Sequence, residues 1–310
     1  MTYKVLILPD WENWSCDFTS GYIVKHLPHM QFEKRYSRYL HERPLIRADD
    51  DFDAVWMMLH YGIETLVSQI SKAGQLGKMK ILVGVRGPYG IDKADTWDLR
   101  HVDALGVQSR WAYYAMREKI PHYDRIWITY DGVDHKVFRP MPEHYPPKGK
   151  FIVGWAGQSR LAVKRTKEIK QVCQEGGFDL KFADCWPMQG KYAVPHDQMP
   201  IWYNTLSTFF HFSTREGAPR PVIEAASSGI PVITSPTGYG QEVIQEDLHV
   251  YDEIQALQKL MWLSGLPDER AKIGKRNRDY VLNHWTWEKR APRYEEFFKL
   301  EGEPYQEINT

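Results

Sequence analysis

Cysteine is scarce in this sequence and net charge is absent, and each absence excludes a class of protein. The three cysteines, Cys16, Cys173 and Cys185, are an odd number without paired spacing, which argues against a disulfide framework and fits a reducing cytoplasm. Lys and Arg total 40 against 40 Asp and Glu, so no global field draws the chain onto nucleic acid or anionic lipid, and any polyanion contact must be local. No apolar run approaches the roughly 18 residues of a spanning helix. No apolar stretch follows a basic start at the N-terminus, so a secretory signal is not expected either. The scattered His and Cys lack CxxC or HxxxH spacing and make no zinc site.

What is present is an ordinary globular balance, 43% hydrophobic and 26% charged, with a heavy aromatic load of 12 Trp and 18 Tyr. Aromatic residues of this kind suit sugar or base stacking, but large core contacts account for most of them. At 310 residues the default is two domains of roughly 150 residues each.

The hydrophobic pattern alternates strand and helix, which predicts an α/β fold with parallel sheets. Tyr3–Pro9, Phe52–His60 and Met79–Gly87 read as buried strands, with helices over Ser20–Leu27 and Glu64–Ser71. The proline-rich run Arg139–Gly149 reads as a linker. The pattern then restarts with strands at Phe151–Gly157, Phe178–Phe182, Thr208–Phe212 and Ile230–Thr234, and a helix at Lys164–Cys173. These readings place an N-terminal domain at 1–145, completed by a C-terminal helix over 286–310, and a second domain at 146–285. Two doubly wound units in tandem predict a ligand crevice at the carboxyl ends of both sheets.

The segment Ser213–Gly229 has the grammar of a loop feeding a helix. Pro219 and Pro221 suit its start and Gly229 a left-handed C-terminal cap. Glu216 precedes the helix and Glu224 lies two turns into it, so both carboxylates face one ligand on this reading, while helix N-terminal amides attract phosphate. The macrodipole alone also favours acidic residues there.

This arrangement resembles the retaining glycosyltransferases of the large GT4 family, which have the GT-B fold: two Rossmann-like doubly wound domains facing across a cleft, with a C-terminal helix crossing back to the first. Their signature of two glutamates separated by seven residues, a glycine, a proline-led strand and a glycine loop before another glutamate is matched by Glu216, Glu224, Gly229, Pro231–Thr234, then Gly238, Gly240 and Glu242. Tyr130–Pro140 resembles the family's interdomain segment, with Asp131 in place of the usual Asn, and Asn283–Glu288 resembles the start of its final helix.

The resemblance implies a hexosyltransferase using a nucleoside diphosphate sugar, UDP- or GDP-linked, with no metal and no other cofactor. Glu216 is the implied catalytic carboxylate, and Gly157, Arg160, Lys164, Gly217, Arg220, Glu224, Gly240 and Glu242 the implied donor-binding residues. Lys164 matches the family's diphosphate-gripping lysine, whereas Gln158 stands where an arginine usually sits, leaving Arg160 or Arg165 to replace it. The histidine the family carries at the end of a first-domain strand is replaced by Arg86; His60 is the other catalytic candidate. Asp49–Asp53 contains an Asp-x-Asp pattern but precedes its strand and reads as a solvated turn. The loop from Asp184 to His196 is the expected base pocket.

The acceptor is left open among a glycan, a lipid-linked sugar at a membrane surface and a modified nucleic-acid base such as those of phage DNA. Trp11, Trp14 and Phe18 are candidates for stacking, and Lys34, Arg35, Arg38, Arg43 and Arg47 interleave with Tyr36 and Tyr39. A solvated strand and loop explains that stretch equally well. No stable protein partner is inferred. The expected location is the cytoplasm, with peripheral membrane attachment open. The competing reading is a nucleotide-sugar binding protein or epimerase on the same fold.

Overall fold

The structure, a computed structural model, describes residues 2–186 and 191–305. The chain divides into two compact units, Met1–Asp131 with Arg290–Thr310, and Gly132–Lys289. The proline-rich run at 139–149 therefore falls inside the second unit. Asn204 ties it there, accepting from the Met141 amide at 2.7 Å and donating to the Arg139 carbonyl at 2.9 Å.

The first unit is a six-stranded parallel sheet: β1 (Lys4–Leu8), β2 (Gln31–Lys34), β3 (Ala54–Met57), β4 (Lys80–Val85), β5 (Ala104–Val107) and β6 (Ile126–Ile128), in the order β2-β1-β3-β4-β5-β6. Strands buried on both faces need unbroken apolar runs, and Val5, Leu6, Ile7 and Leu8 are all wholly buried. The intervening helices are α1 (Ser15–His26), α2 (Ile63–Lys72), α3 (Pro88–Asp92) and α4 (Arg110–Lys119). Helix α1 begins five residues ahead of the predicted Ser20 start.

The second unit holds β7 (Ile152–Gly157), β8 (Asp179–Trp186), β9 (Lys191–Tyr192), β10 (Thr208–His211) and β11 (Val232–Thr234), in the order β11-β10-β7-β8-β9. All pairings are parallel except β8 with β9. Its helices are α5 (Thr166–Glu175), α6 (Met199–Asn204), α7 (Arg220–Ser227), α8 (Gly240–Val243), α9 (Glu253–Gly265) and α10 (Pro267–His284). The chain leaves β7 toward β8 on one side and returns to β10 on the other, so the β7/β10 boundary is the topological switch point where open sheets bind ligands.

The polar C-terminal stretch is two helices, α10 and α11 (Trp287–Lys299). The later turns of α11 belong to the first unit, where Tyr294, Phe297 and Phe298 surround Trp56 at ring distances of 5.5, 6.2 and 5.4 Å. The helix expected over 286–310 stops at Lys299, where Leu300 turns to a positive φ of 55°, and residues 306–310 lie outside the described residues. In the second unit Trp285 packs on Tyr239 at 5.2 Å. The Trp285 carbonyl accepts from the Val133 amide at 2.9 Å, which binds the Gly132–Asp134 turn to the end of α10.

Candidate functional site

Two loops meet at the switch point of the second unit, one leaving β7 at Gly157 and the other leaving β10 at His211. The first has φ near +152° at Gly157, where a Cβ would press on the Trp155 ring at 3.2 Å. Ser159 then caps onto Asp184, at the end of β8, through its amide at 2.9 Å and its hydroxyl at 2.6 Å. The loops are joined by the Thr214 amide donating to the Val163 carbonyl at 2.8 Å. That single backbone bond sets Lys164 beside Glu216, and the lysine Nζ donates to Glu216 Oε1.

The same carboxylate oxygen faces His211 Nε2 at 3.2 Å, while His211 Nδ1 is 3.0 Å from the Thr234 hydroxyl of β11. Glu216 is 9% exposed, and burial alone would raise its pKa. The Lys164 ammonium, then the hydrogen bond from His211, overcome that effect and hold the carboxyl well below its usual range. Both protein contacts fall on Oε1, which leaves Oε2 as an acceptor. His211 was not singled out from sequence, although a histidine inside the buried run Phe209-Phe210-His211-Phe212 is the type of buried polar residue that requires a partner.

Glu224, in α7, is also buried. Its Oε2 accepts from the Tyr203 hydroxyl at 2.9 Å, and its Oε1 lies 3.3 Å from Arg220 Nη2 and 3.9 Å from His196 Nε2. Arg220 thus sits at the first position of α7 and pairs one turn along it. Gly229 closes the helix at φ +76°, as predicted. Gly238, at φ +54°, passes so close to the Glu216–Gly217 backbone that a Cβ would lie 2.7 Å from the Gly217 oxygen. The Gly217 carbonyl also accepts from the Tyr239 amide at 3.3 Å. Gly240 begins α8 and Glu242 is buried within it.

The remaining predicted residues are placed differently. Arg160 is exposed in the turn after β7. Arg165 is engaged elsewhere, ion-paired with Glu253 and stacked 3.9 Å above the Phe212 ring. Residues 187–190 of the expected base pocket lie outside the described residues, but its ends are anchored at this site, Asp184 on Ser159 and His196 near Glu224.

In the first unit, Arg86 is buried and ion-paired with the wholly buried Asp131. Burial would lower the Arg86 pKa, and the Asp131 charge outweighs it, so the guanidinium stays charged. The Tyr294 hydroxyl donates to the other Asp131 oxygen at 3.1 Å. His60, just past β3, stacks on Trp97 at 4.9 Å and lies 4.0 Å from Tyr61. It borders a cavity of about 600 Å³ shared with Tyr89 and Lys93. Burial, aided by the Lys93 charge, lowers its pKa to about 4.

The basic, aromatic stretch near the N-terminus is largely neutralised. Lys34 pairs with Asp17, Arg35 with Asp50 and Glu33, and Arg38 with Glu12. Trp11 is covered by the Arg38 guanidinium at 4.9 Å. Asp50 and Asp51 of the Asp-x-Asp stretch are ion-paired with Arg35 and Lys4, and Asp53 accepts from the Lys4 amide. Among the described residues no helix is long and apolar enough to cross a membrane.

Residues 162–296, which contain Lys164, Glu216, Glu224 and Glu242, match a family described as glycosyl transferase-like. Sucrose-phosphate synthase from Thermosynechococcus elongatus superposes with a TM-score of 0.71 at 12% identity, covering 97% of this chain and 99% of that one. The fold is that of the GT-B glycosyltransferases. HepE of Anabaena, in complex with UDP and glucose, gives 0.71 at 12% identity over 96% and 100% of the two chains. The lipopolysaccharide outer core galactosyltransferase WaaB gives 0.62 at 12% over 96% and 99%. No curated protein matches the chain in sequence. At these identities the GT-B likeness concerns the fold, whereas the family match falls on the segment that carries Lys164, Glu216 and Glu224.

Proposed function

We propose that this chain is a retaining glycosyltransferase of the GT4 type, moving a hexosyl group from a nucleoside diphosphate sugar to an acceptor hydroxyl. The observation that carries the reading is the Lys164–Glu216–His211 cluster at the β7/β10 switch point. A fixed cation and an ionised carboxylate stand together where a doubly wound sheet binds its ligand. HepE, which shares the fold, is seen with UDP and glucose, and that supports a UDP-sugar as the first donor to try.

On this reading the bond from the sugar C1 to the diphosphate oxygen breaks as the acceptor oxygen attacks C1 from the same face. The acceptor proton passes to the departing phosphate oxygen, so no separate base is required. Lys164 leaves Glu216 for the diphosphate and stabilises the negative charge that develops there, the task a metal performs in other transferases. Glu216 Oε2 accepts hydrogen bonds from the sugar hydroxyls, and Glu224 accepts from the ribose. Arg86, committed to Asp131, is assigned a positioning role in the first unit. His60 remains the first-unit candidate for contact with substrate, because it borders a cavity lined by aromatic rings that suit a sugar face.

Incubating the protein with a panel of UDP- and GDP-sugars and measuring sugar release tests the reading. Slow hydrolysis of one donor is expected. A protein that binds a nucleotide sugar and releases none is a binding module, and one that returns an isomerised sugar is an epimerase.

A further inference from the structure

The second unit has another cavity, of about 710 Å³, at the end of the sheet away from Glu216. It opens where the strands begin, with Phe151 just before β7, Ser207 before β10 and Pro231 before β11. The donor-site loops follow the other ends of these strands, and six residues of β7 put about 20 Å between the two sites.

Five cations line this cavity, Lys148, Lys150, Arg270, Lys275 and Arg278, and no carboxylate does. Lys275 pairs with Asp279. The other four have no ion pair among the described residues. Asp268 and Glu269, in the first turn of α10, are not part of the wall.

The two arginines are held in place without being neutralised. Arg270 Nη1 donates to the carbonyls of Leu263 at 2.6 Å and Ser264 at 3.0 Å, and its guanidinium lies 5.3 Å from the Phe151 ring. Arg278 Nη1 donates to the carbonyls of Phe138, at 3.3 Å, and Ser227. Burial lowers the pKa of both; at Arg278 the nearby Asp279 carboxylate opposes that effect without forming an ion pair, and Arg139 adds to it. Carbonyl partners fix geometry but cancel no charge, so like cations gathered in one cavity repel each other until an anion enters. The rest of the wall is apolar or aromatic, with Pro140, Tyr145, Pro146 and Ile230.

We propose that this cavity is a second ligand site, separate from the donor site, for a phosphate group carried on an apolar or ring-bearing body. Guanidinium groups fit phosphate oxygens in pairs, and the unpaired positive charge matches a multiply charged phosphate better than a single carboxylate. A free phosphorylated compound and the headgroup of an anionic lipid share this chemistry.

The test keeps the donor site filled with saturating UDP. Inorganic pyrophosphate is titrated by calorimetry, and phosphatidylcholine vesicles doped with phosphatidic acid are sedimented with the protein, with undoped vesicles as control. The comparison is with the double variant Lys148→Glu, Lys150→Glu, whose side chains make no structural bond among the described residues. Binding of either probe in the presence of UDP, weakened roughly tenfold or more in the variant, supports the site. Pyrophosphate binding identifies a free ligand and vesicle binding a lipid headgroup. Absence of binding by both probes, competition of the probe with UDP, or an unaffected double variant overturns it. The inference does not rest on the donor assignment, because the double variant reads this cavity whether or not UDP binds.

Discussion

Lys164 and His211, which reach the site from different loops and lie 47 residues apart in sequence, converge on the same oxygen of Glu216. The arrangement keeps the glutamate ionised while leaving its second oxygen as an acceptor.

Replacing Lys164 by Met removes the charge that, on the proposed mechanism, faces the leaving group. Transfer or donor hydrolysis should fall about a hundred- to a thousandfold, mainly in kcat. Steady-state kinetics with the donor identified by the panel checks this, and an unchanged kcat would move the phosphate grip to another residue.

Tyr203 is wholly buried, and burial together with Glu224 keeps its hydroxyl protonated. Tyr203→Phe deletes the hydrogen bond to Glu224 Oε2 and should cost about 1.5–3 kcal/mol of stability. With Glu224 less firmly held, the KM for donor should rise more than kcat falls. Denaturant unfolding and donor kinetics on the same preparation measure both.

Arg86 and Asp131 account for each other. In sequence they are two separate departures from the GT4 pattern, an arginine for a histidine and an aspartate for an asparagine; in the fold they are one buried ion pair. Asp131→Asn should destabilise the protein by about 3–5 kcal/mol, because it strands a buried guanidinium. Adding Arg86→Met should recover most of the loss, and a double-mutant cycle tests that coupling directly.

His60 makes stability depend on pH. Its folded pKa of about 4 lies below the ordinary 6.5, so within that window the unfolded chain takes up a proton that the folded chain refuses. The contribution is complete above pH 6.5 and is lost as pH falls toward 4, by up to about 3 kcal/mol. His60→Gln should flatten this part of the profile of unfolding midpoint against pH, leaving the smaller shares of His196 and His249, which burial also depresses.

The long apolar runs made β1, β3, β4 and β7 legible, because a strand buried on both faces must be apolar throughout. Strands β5 and β6 were not visible in the same way, because their apolar runs, Ala104–Val107 and Ile126–Ile128, are cut off at once by Asp103 and Gln108 and by Arg125 and Thr129. The candidate site loop was legible through Glu216, Glu224 and Gly229, whose spacing is local. His211 was not, since its role depends on parallel register with Thr234 of β11, a contact that no local spacing encodes. The pairing of Arg86 with Asp131 was hidden for the same reason. The boundary drawn at the proline-rich run differs from the division at Asp131, because the side chain of Asn204 binds that run to the second unit.

If Glu216 serves retaining transfer as proposed, the anomer first formed is the most direct measurement of it. NMR of early turnover with an α-linked nucleotide sugar should show the α product from the wild type, and a rate reduced about a hundred- to a thousandfold in Glu216→Gln. A β product, or an undiminished rate in the variant, would contradict the account.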